Sequence, residues 1–465
     1  MNKYWIICPI LFGLLTGCAT YYDKQAQLQT MITSGKFQEA DHYLSKQKKF
    51  ETGNNRVLYF FDRGVTNFMT GNYQESNNFF QQADHYIEDY TKNPIAEGFA
   101  LLTNPMVKPY KPEDFESVMI HYYKALNYLF LNNYEDALVE CRRLNIQLNR
   151  INDQYKKNKN KYTEDAFAQN LMGIIYEASG DYNNAFIAYR NSIDTYENVY
   201  QKLWNEPVPD QLKEDVIRAA YKTGFYDQVD YYERKFEIKY HPFPEENGDL
   251  VFFWMNGFGP VKSEWSINFT NTGYNDGWIT LVNDDMGLNF PIYIGGYSSN
   301  QQSAFKDLSF MRIAFPKYLT RQPVFSNASL SIDDKTTVQF EMAENINSIA
   351  YQCLKDRMIR EISNSIARLA LKKAMEKVAR NENDNLGTIV SILNAATEKA
   401  DTRNWQSLPY SISYCRVSLP PGKHEVDLNA YGKGTFDQSF EFNIQSKRTT
   451  FHAYHNIESL PPSGK

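Results

Sequence analysis

The chain has 465 residues, a net charge of −6, 15% aromatic residues and a mean hydropathy of −0.56. The aromatic content excludes a disordered chain. The small acidic balance excludes a general nucleic-acid binder, and the length leaves room for two or three domains.

The N-terminus reads as a secretion signal. Lys3 gives a positive start, and residues 6–15 form an apolar run too short to span a bilayer but long enough for a signal-peptide core. Leu15-Thr16-Gly17-Cys18 then looks like a lipobox. The expectation is that residues 1–17 are removed and that Cys18 is the lipidation site, carrying acyl chains such as palmitate, with 18–24 as a tether. No aspartate follows Cys18 at the second position. By analogy with lipoprotein sorting in Gram-negative bacteria, the outer membrane is the expected location. Cys141, Cys353 and Cys415 remain for the folded body. They are odd in number and far apart, so a disulfide framework is not expected and a single pair stays open.

Residues 25–241 repeat a phrase that resembles a tetratricopeptide repeat (TPR). The clearest copy runs Gly173, Tyr176, Gly180-Asp-Tyr182, Ala185, Tyr189. Small residues stand where two antiparallel helices must approach, large aromatics fill the space between them, and glycine stands at the turn. A second copy has Gly64, Gly71-Asn-Tyr73, Ser76 and Phe80 at the same spacing. A third has Ala125, Tyr128, Asn133-Tyr134 and Ala137, with Asn132 in place of the turn glycine. Weaker copies centre on Gly35-Lys-Phe37 and Gly224-Phe-Tyr226. The turn aromatics fall 36, 61, 48 and 44 residues apart, against about 34 for a regular array. The repeats are therefore irregular, and Asn93–Pro112, with four prolines, reads as a surface loop. Stacked pairs predict a solenoid whose concave face suits an extended peptide or a partner helix.

A linker at 242–248 leads to a β-rich part, 249–342. Strands are expected at Leu250–Met255, around Trp265-Ser-Ile267-Asn-Phe269, and at Trp278–Val282, Ile292–Ile294, Phe310–Phe315 and Thr337–Met342. Helical periodicity returns for an insertion at 343–400, a basic amphipathic helix to about Arg380 and a shorter one at Leu386–Lys399. Strands resume in a second β-rich part, 401–456, and 457–465 form a tail. The whole reads as an α+β multidomain chain: an N-terminal α-solenoid of irregular TPR-like pairs, then a β-sandwich-like domain with an inserted amphipathic helix.

The second half resembles a family of bacterial TPR lipoproteins to which no reaction is assigned. The residues that carry the likeness are Gly248-Asp-Leu-Val251, Gly257-Phe-Gly-Pro-Val-Lys262, Ala400-Asp-Thr-Arg-Asn-Trp405, Arg416 and Leu419-Pro-Pro-Gly422. The resemblance implies an envelope lipoprotein that partners other envelope lipoproteins, including the class that activates peptidoglycan synthases. It assigns no role to Asp401, Arg403, Trp405 or Arg416. Read physically, Asp401 and Arg403 are close enough to pair with each other or with backbone, and Trp405 plugs the junction of helix and sheet.

No short catalytic motif appears. The seven histidines include no HExxH, and His452 and His455 would point to opposite faces of a strand. No metal and no cofactor are expected. The reading is a non-catalytic, lipid-anchored scaffold that binds an envelope protein through its concave face, with a role in envelope or peptidoglycan assembly. A glycan-binding lipoprotein of the nutrient-uptake type is the alternative, in which Trp254, Trp265 and Trp278 would stack on sugars. A wall-modifying hydrolase is the third, and it requires two carboxylates in one cleft.

Overall fold

The computed structural model describes residues 25–92, 108–154, 160–284, 287–306, 310–358 and 400–464. The lipobox with Cys18, most of the proline-bearing loop and the stretch 359–399, with most of the expected helical insertion, lie outside them.

Among the described residues the helical half holds five antiparallel pairs, with a short helical continuation over 196–204. The pairs are α1 (25–33) with α2 (Phe37–Ser45), then, after the short α3 (Lys48–Thr52), α4 (Arg56–Met69) with α5 (Tyr73–Lys92). Next come α6 (Asp114–Phe130) with α7 (Tyr134–Gln154), α8 (Ala166–Ala178) with α9 (Tyr182–Thr195), and α10 (Asp210–Thr223) with α11 (Tyr226–Phe236). All five turns are built alike. Gly35, Gly71, Asn132, Gly180 and Gly224 each take positive φ, from 57° to 81°. At each, the backbone N–H of that residue bonds three residues back and the next N–H bonds five back, as in Asn132 to Leu129 and Asn133 to Tyr128. That is the Schellman end of a helix, which needs one left-handed residue. Asn132 supplies it where glycine is missing.

Two pairs close on a glycine. A Cβ on Gly64 would come 2.5 Å from the Phe80 ring, and one on Gly173 would come 2.3 Å from Tyr189. Ser76 donates to the Gly64 carbonyl at 2.7 Å in the same contact. Ala125, Ala137 and Ala185 are fully buried at helix crossings. Tyr73, Tyr128, Tyr134, Tyr176 and Tyr182 are only half-buried.

Twelve strands make three four-stranded sheets among the described residues. In chain order these are β1 (Gly248–Asn256), β2 (Val261–Asn275), β3 (Trp278–Asn283), β4 (Leu288–Tyr293), β5 (Phe310–Leu319), β6 (Phe325–Ile332), β7 (Thr336–Gln339), β8 (Glu341–Glu344), β9 (Ser411–Leu419), β10 (Gly422–Gly432), β11 (Thr435–Ile444) and β12 (Thr449–Asn456). Helix α12 (Ser299–Lys306) precedes β5, and α13 (346–358) follows β8. Sheets β12-β1-β9-β8 and β11-β10-β6-β7 face each other, so early and late strands share both layers of a sandwich. Leu250, Phe252, Trp254, Leu330, Val426 and Leu428 fill the space between them.

Four expectations need correction. Strands β2–β5 do not join the sandwich but form a third, antiparallel sheet, β4-β3-β2-β5. The expected strand Thr337–Met342 is two strands, β7 and β8, in different sheets. Gly248, the last residue of the expected linker, opens β1, and Ala343, the expected helix start, lies in β8. Strand β6 was not expected: its sequence FSNASLSI offers only the broken apolar series Phe325, Ala328, Leu330, Ile332.

The run Leu250–Met255 is apolar throughout because both faces of β1 are covered. Its even residues enter the sandwich. Val251, Phe253 and Met255 instead join Ile412, Tyr414 and Trp405 in one cluster with the helix residues. Cys141, Cys353 and Cys415 are buried free thiols. No helix of the described residues is long and apolar enough to cross a membrane.

Candidate functional site between the helices and the sheet

The first helices of the middle pairs, α4, α6 and α8, are buried over most of their surface. In α6 only Asp114, Tyr128 and Phe130 escape full burial, whereas α11, a second helix, buries just Val229 and Tyr232. A helix buried on every side has neighbours on every side, and the chain's own second half provides part of that cover.

Segment 400–409 crosses the inner ends of α4 and α6. Trp405 stacks on Phe61 with ring centroids 4.1 Å apart and lies 5.8 Å from Phe80 and Tyr123. Its backbone N–H donates to Glu116 at 2.7 Å. Its indole N–H donates to Ser407, whose hydroxyl donates to Asp62, each at 2.9 Å. Arg403 folds back on Asp401 through Nε and Nη2, at 2.9 and 2.6 Å, and donates Nη1 to Asn55 at 2.8 Å. Asp401 and Arg403 therefore brace the corner in which Trp405 sits.

A second contact is ionic. Lys262 of β2 and Arg357 of α13 both bond the Glu113 carboxylate, which caps α6. Burial opposes ionisation there, but the charges of Arg357 and Lys262 hold Glu113 down to about 2. Glu116, one turn on, accepts from the Tyr110 hydroxyl and the Glu113 N–H. Burial lifts it to about 7, with Lys262 pulling the other way. Burial also lifts Asp62 to about 7 against its bonds from Ser407 and Gln25.

The third contact centres on Arg416 of β9. It reaches Glu177 of α8 at 3.1 Å and Asp249 of β1 at 3.1 Å, and donates to the Tyr189 hydroxyl at 3.2 Å. Arg218 of α10 donates to Glu177 at 2.6 Å and to Asp215 at 2.6 Å. Tyr414 donates its hydroxyl to Asp215 at 3.1 Å, and its ring packs 6.1 Å from Phe167. Burial opposes the charge on Glu177 too, yet Arg218 and Arg416 hold it down to about 2. Carboxylates without guanidinium would be strongly disfavoured in this interior.

The concave face expected to receive a partner is thus the seat of this chain's own β-rich half: α4, α6, α8 and α10 all touch it. That expectation is corrected here. The sequence set contributes unequally. Trp405, Arg403, Asp401, Arg416 and Tyr189 meet at this seam. Gly64, Phe80, Gly173 and the small alanines serve helix packing, and Gly71 and Gly180 serve turns. Sequence reading missed Asp62, Glu113, Glu116, Glu177, Asp215 and Arg218. Their signal was charge embedded in apolar helix runs, as with Glu177 in Ile174-Ile-Tyr-Glu-Ala178.

Of the tryptophans offered for sugars, Trp254 is buried with its indole N–H on Asn456 at 2.7 Å. Trp265 is half-buried against the core of the third sheet, and Trp278 is exposed. His452 packs among Phe252, Phe440 and Phe442, and burial lowers it to about 4. His455 bonds the Gly257 carbonyl on the opposite face. Among the described residues no group of three or more His, Cys, Asp or Glu could hold a metal ion.

Apart from Tyr86, the exposed aromatics among the described residues of the helical half lie in its last pair or just after it. Tyr226 is 64% exposed, Phe243 55% and Tyr231 48%, and Tyr221 and Phe225 are exposed beside them. Tyr221 touches both Tyr226 and Tyr240.

No protein-family model matches the chain, and no curated protein matches it. The following solved structures cover about half of the chain, its helical half. The TPR-like repeats of a kinesin light chain from Podosopora anserina are 12% identical, covering 46% of this chain and 92% of that one, with a TM-score of 0.32. MamA of Desulfovibrio magneticus is 14% identical, covering 46% and 96%, at 0.28. The apo form of RapI is 16% identical, covering 50% and 57%, at 0.34. At identities and scores this low, the likenesses bear on neither activity nor partner.

Proposed function

We propose that the protein is a non-catalytic, lipid-anchored scaffold of the bacterial cell envelope, held in the outer membrane through Cys18, that docks a protein partner on the exposed end of its repeat array. The observation that carries this reading is the aromatic group at Tyr221, Phe225, Tyr226, Tyr231 and Phe243. Repeat arrays remain soluble by ending on a polar outer face. An end that keeps several large rings in water has the composition of an interface centre. The inner face is occupied, so docking falls to the end and the outer helices. The buried ion networks support a structural rather than a catalytic use, since their carboxylates and guanidinium groups satisfy one another.

The test is in-cell photocrosslinking from position 226 or 231, in the intact chain and in a Cys18→Ala form. Reproducible capture of one envelope protein, lost in the Cys18→Ala form, is the expected result. Equal capture without the lipid site would remove the anchored part of the proposal. Capture of nothing would remove the docking part.

A further inference from the structure

The third sheet has one covered face and one open face. Ile267, Phe269, Leu281 and Phe315 cluster on the covered side. The open side alternates with them along β2, β3 and β4 and carries hydroxyl and amide side chains, Asn268, Thr270, Thr280 and Asn289. At one corner of that side stand two large rings. Trp278 and Tyr293 are cross-strand partners, 45% and 54% exposed, with centroids 5.1 Å apart and planes at 55°.

Tyr293 is not loose. A Cβ on Gly277 would lie 2.9 Å from its ring, and one on Gly295 would lie 2.4 Å from its hydroxyl oxygen. The ring therefore rests in a gap that only glycine leaves, on both sides of the hairpin, with its outer part in water. The other two tryptophans of this half that sequence reading offered for sugars, Trp254 and Trp265, are drawn into cores. Trp278 is the exception, and it stands beside the fixed tyrosine.

We infer that the open face of this sheet is a saccharide-binding surface on which Trp278 and Tyr293 stack against pyranose rings. An exposed ring offers a flat, polarisable face to the C–H side of a sugar, and the amide and hydroxyl groups along the strands match sugar hydroxyls. A protein-docking centre would be contiguously apolar. Beyond its aromatic corner this face sets Val282 and Pro291 among Asn268, Thr270, Thr280 and Asn289 rather than in one apolar centre. From Trp278 to Val282 the strand runs ~13 Å, the span of a short oligosaccharide. Arg312, opposite Asn268 on the same side, adds one positive charge, which suits a neutral or acidic glycan. The inference is independent of the partner-docking end of the array.

The experiment uses the detergent-solubilised full chain with three probes: isolated peptidoglycan sacculi, soluble β-1,4-linked N-acetylglucosamine oligosaccharides and a soluble α-glucan. Retention and calorimetric titration are read for the wild type, Trp278→Ala and Tyr293→Ala, with melting temperature as the folding control. Both rings are exposed, so both variants should melt like the wild type. The expected result is binding of at least one probe, weakened tenfold or more in each variant. Failure of the wild type to bind any probe at millimolar concentration, or binding unchanged in both variants, overturns the inference.

Discussion

Arg416 and Glu177 lie 3.1 Å apart with both side chains buried, one on a strand of the second half and the other on a helix of the first. Neither group could be ionised there alone. Arg416→Ala would strand Glu177, Asp215 and Asp249 with one guanidinium, Arg218, in reach. The expected loss is about 3–5 kcal/mol, read as a lower urea midpoint. Arg416→Lys should recover little, because a single ammonium cannot reach Glu177, Asp249 and Tyr189 together.

Gly64→Ala and Gly173→Ala test the helix pairing. Alanine ordinarily gains up to about 1 kcal/mol over glycine inside a helix. Here its methyl group would meet Phe80 or Tyr189 at 2.5 or 2.3 Å, so each variant should instead lose ~1–3 kcal/mol. Gly71→Ala would fail for a different reason, the positive φ of 77° at the turn. Thermal melts of the three variants would separate the two causes, since replacing Gly71 by Asn should restore most of the loss and replacing Gly64 by Asn should not.

Trp405→Ala removes the plug between Phe61, Phe80 and Tyr123. A loss of about 3–5 kcal/mol is expected, with new binding of a hydrophobic dye as the inner helix face opens. Trp405→Phe should cost less and leave dye binding low.

The pH profile follows from the seam. Asp62 is raised to about 7, so its native form binds the extra proton. Stability from this group is fully present below its unfolded value near ~3.9 and is lost as pH climbs to about 7. Glu177 and Glu113, held near 2, act in the opposite sense. Their contribution is present above ~4.3 and is lost as pH falls toward 2. A third trend comes from His452, lowered to about 4, whose contribution is present above ~6.5 and is lost as pH falls toward 4. Asp62→Asn should remove the decline due to Asp62 between pH 4 and 7 and leave the acid limb in place, as urea midpoints across that range would record.

The helical half was largely legible in the sequence. Gly-x-aromatic phrases mark turns where one left-handed residue must sit, and Asn132 could be read as the substitute. Strands with alternating or continuous apolar runs, such as β1 and β2, were legible too. Two things were not. The inner face of the array reads like any TPR groove when each repeat is taken alone, because nothing local says which element will cover it. Helix α6 is buried nearly all round, yet Ser117, His121 and Lys124 give its sequence an ordinary polar side, so burial there could not be read from the residues. The strands β6, β7 and β8 were obscured because short, serine- and glutamate-bearing segments earn their burial from neighbours distant in sequence, and Phe340 carries the chain from one sheet to the other without a turn signal.

The central claim is that helices and sheet form one body, with the inner face of the array closed by the chain itself. Hydrogen exchange along a urea gradient tests it most directly, by following peptides from α8 and from β9 in the same sample. The account predicts that both lose protection at the same urea concentration and that Arg416→Ala lowers both together. If β9 exchanges freely while α8 remains protected, the two halves are separable, and the groove is open to a partner after all.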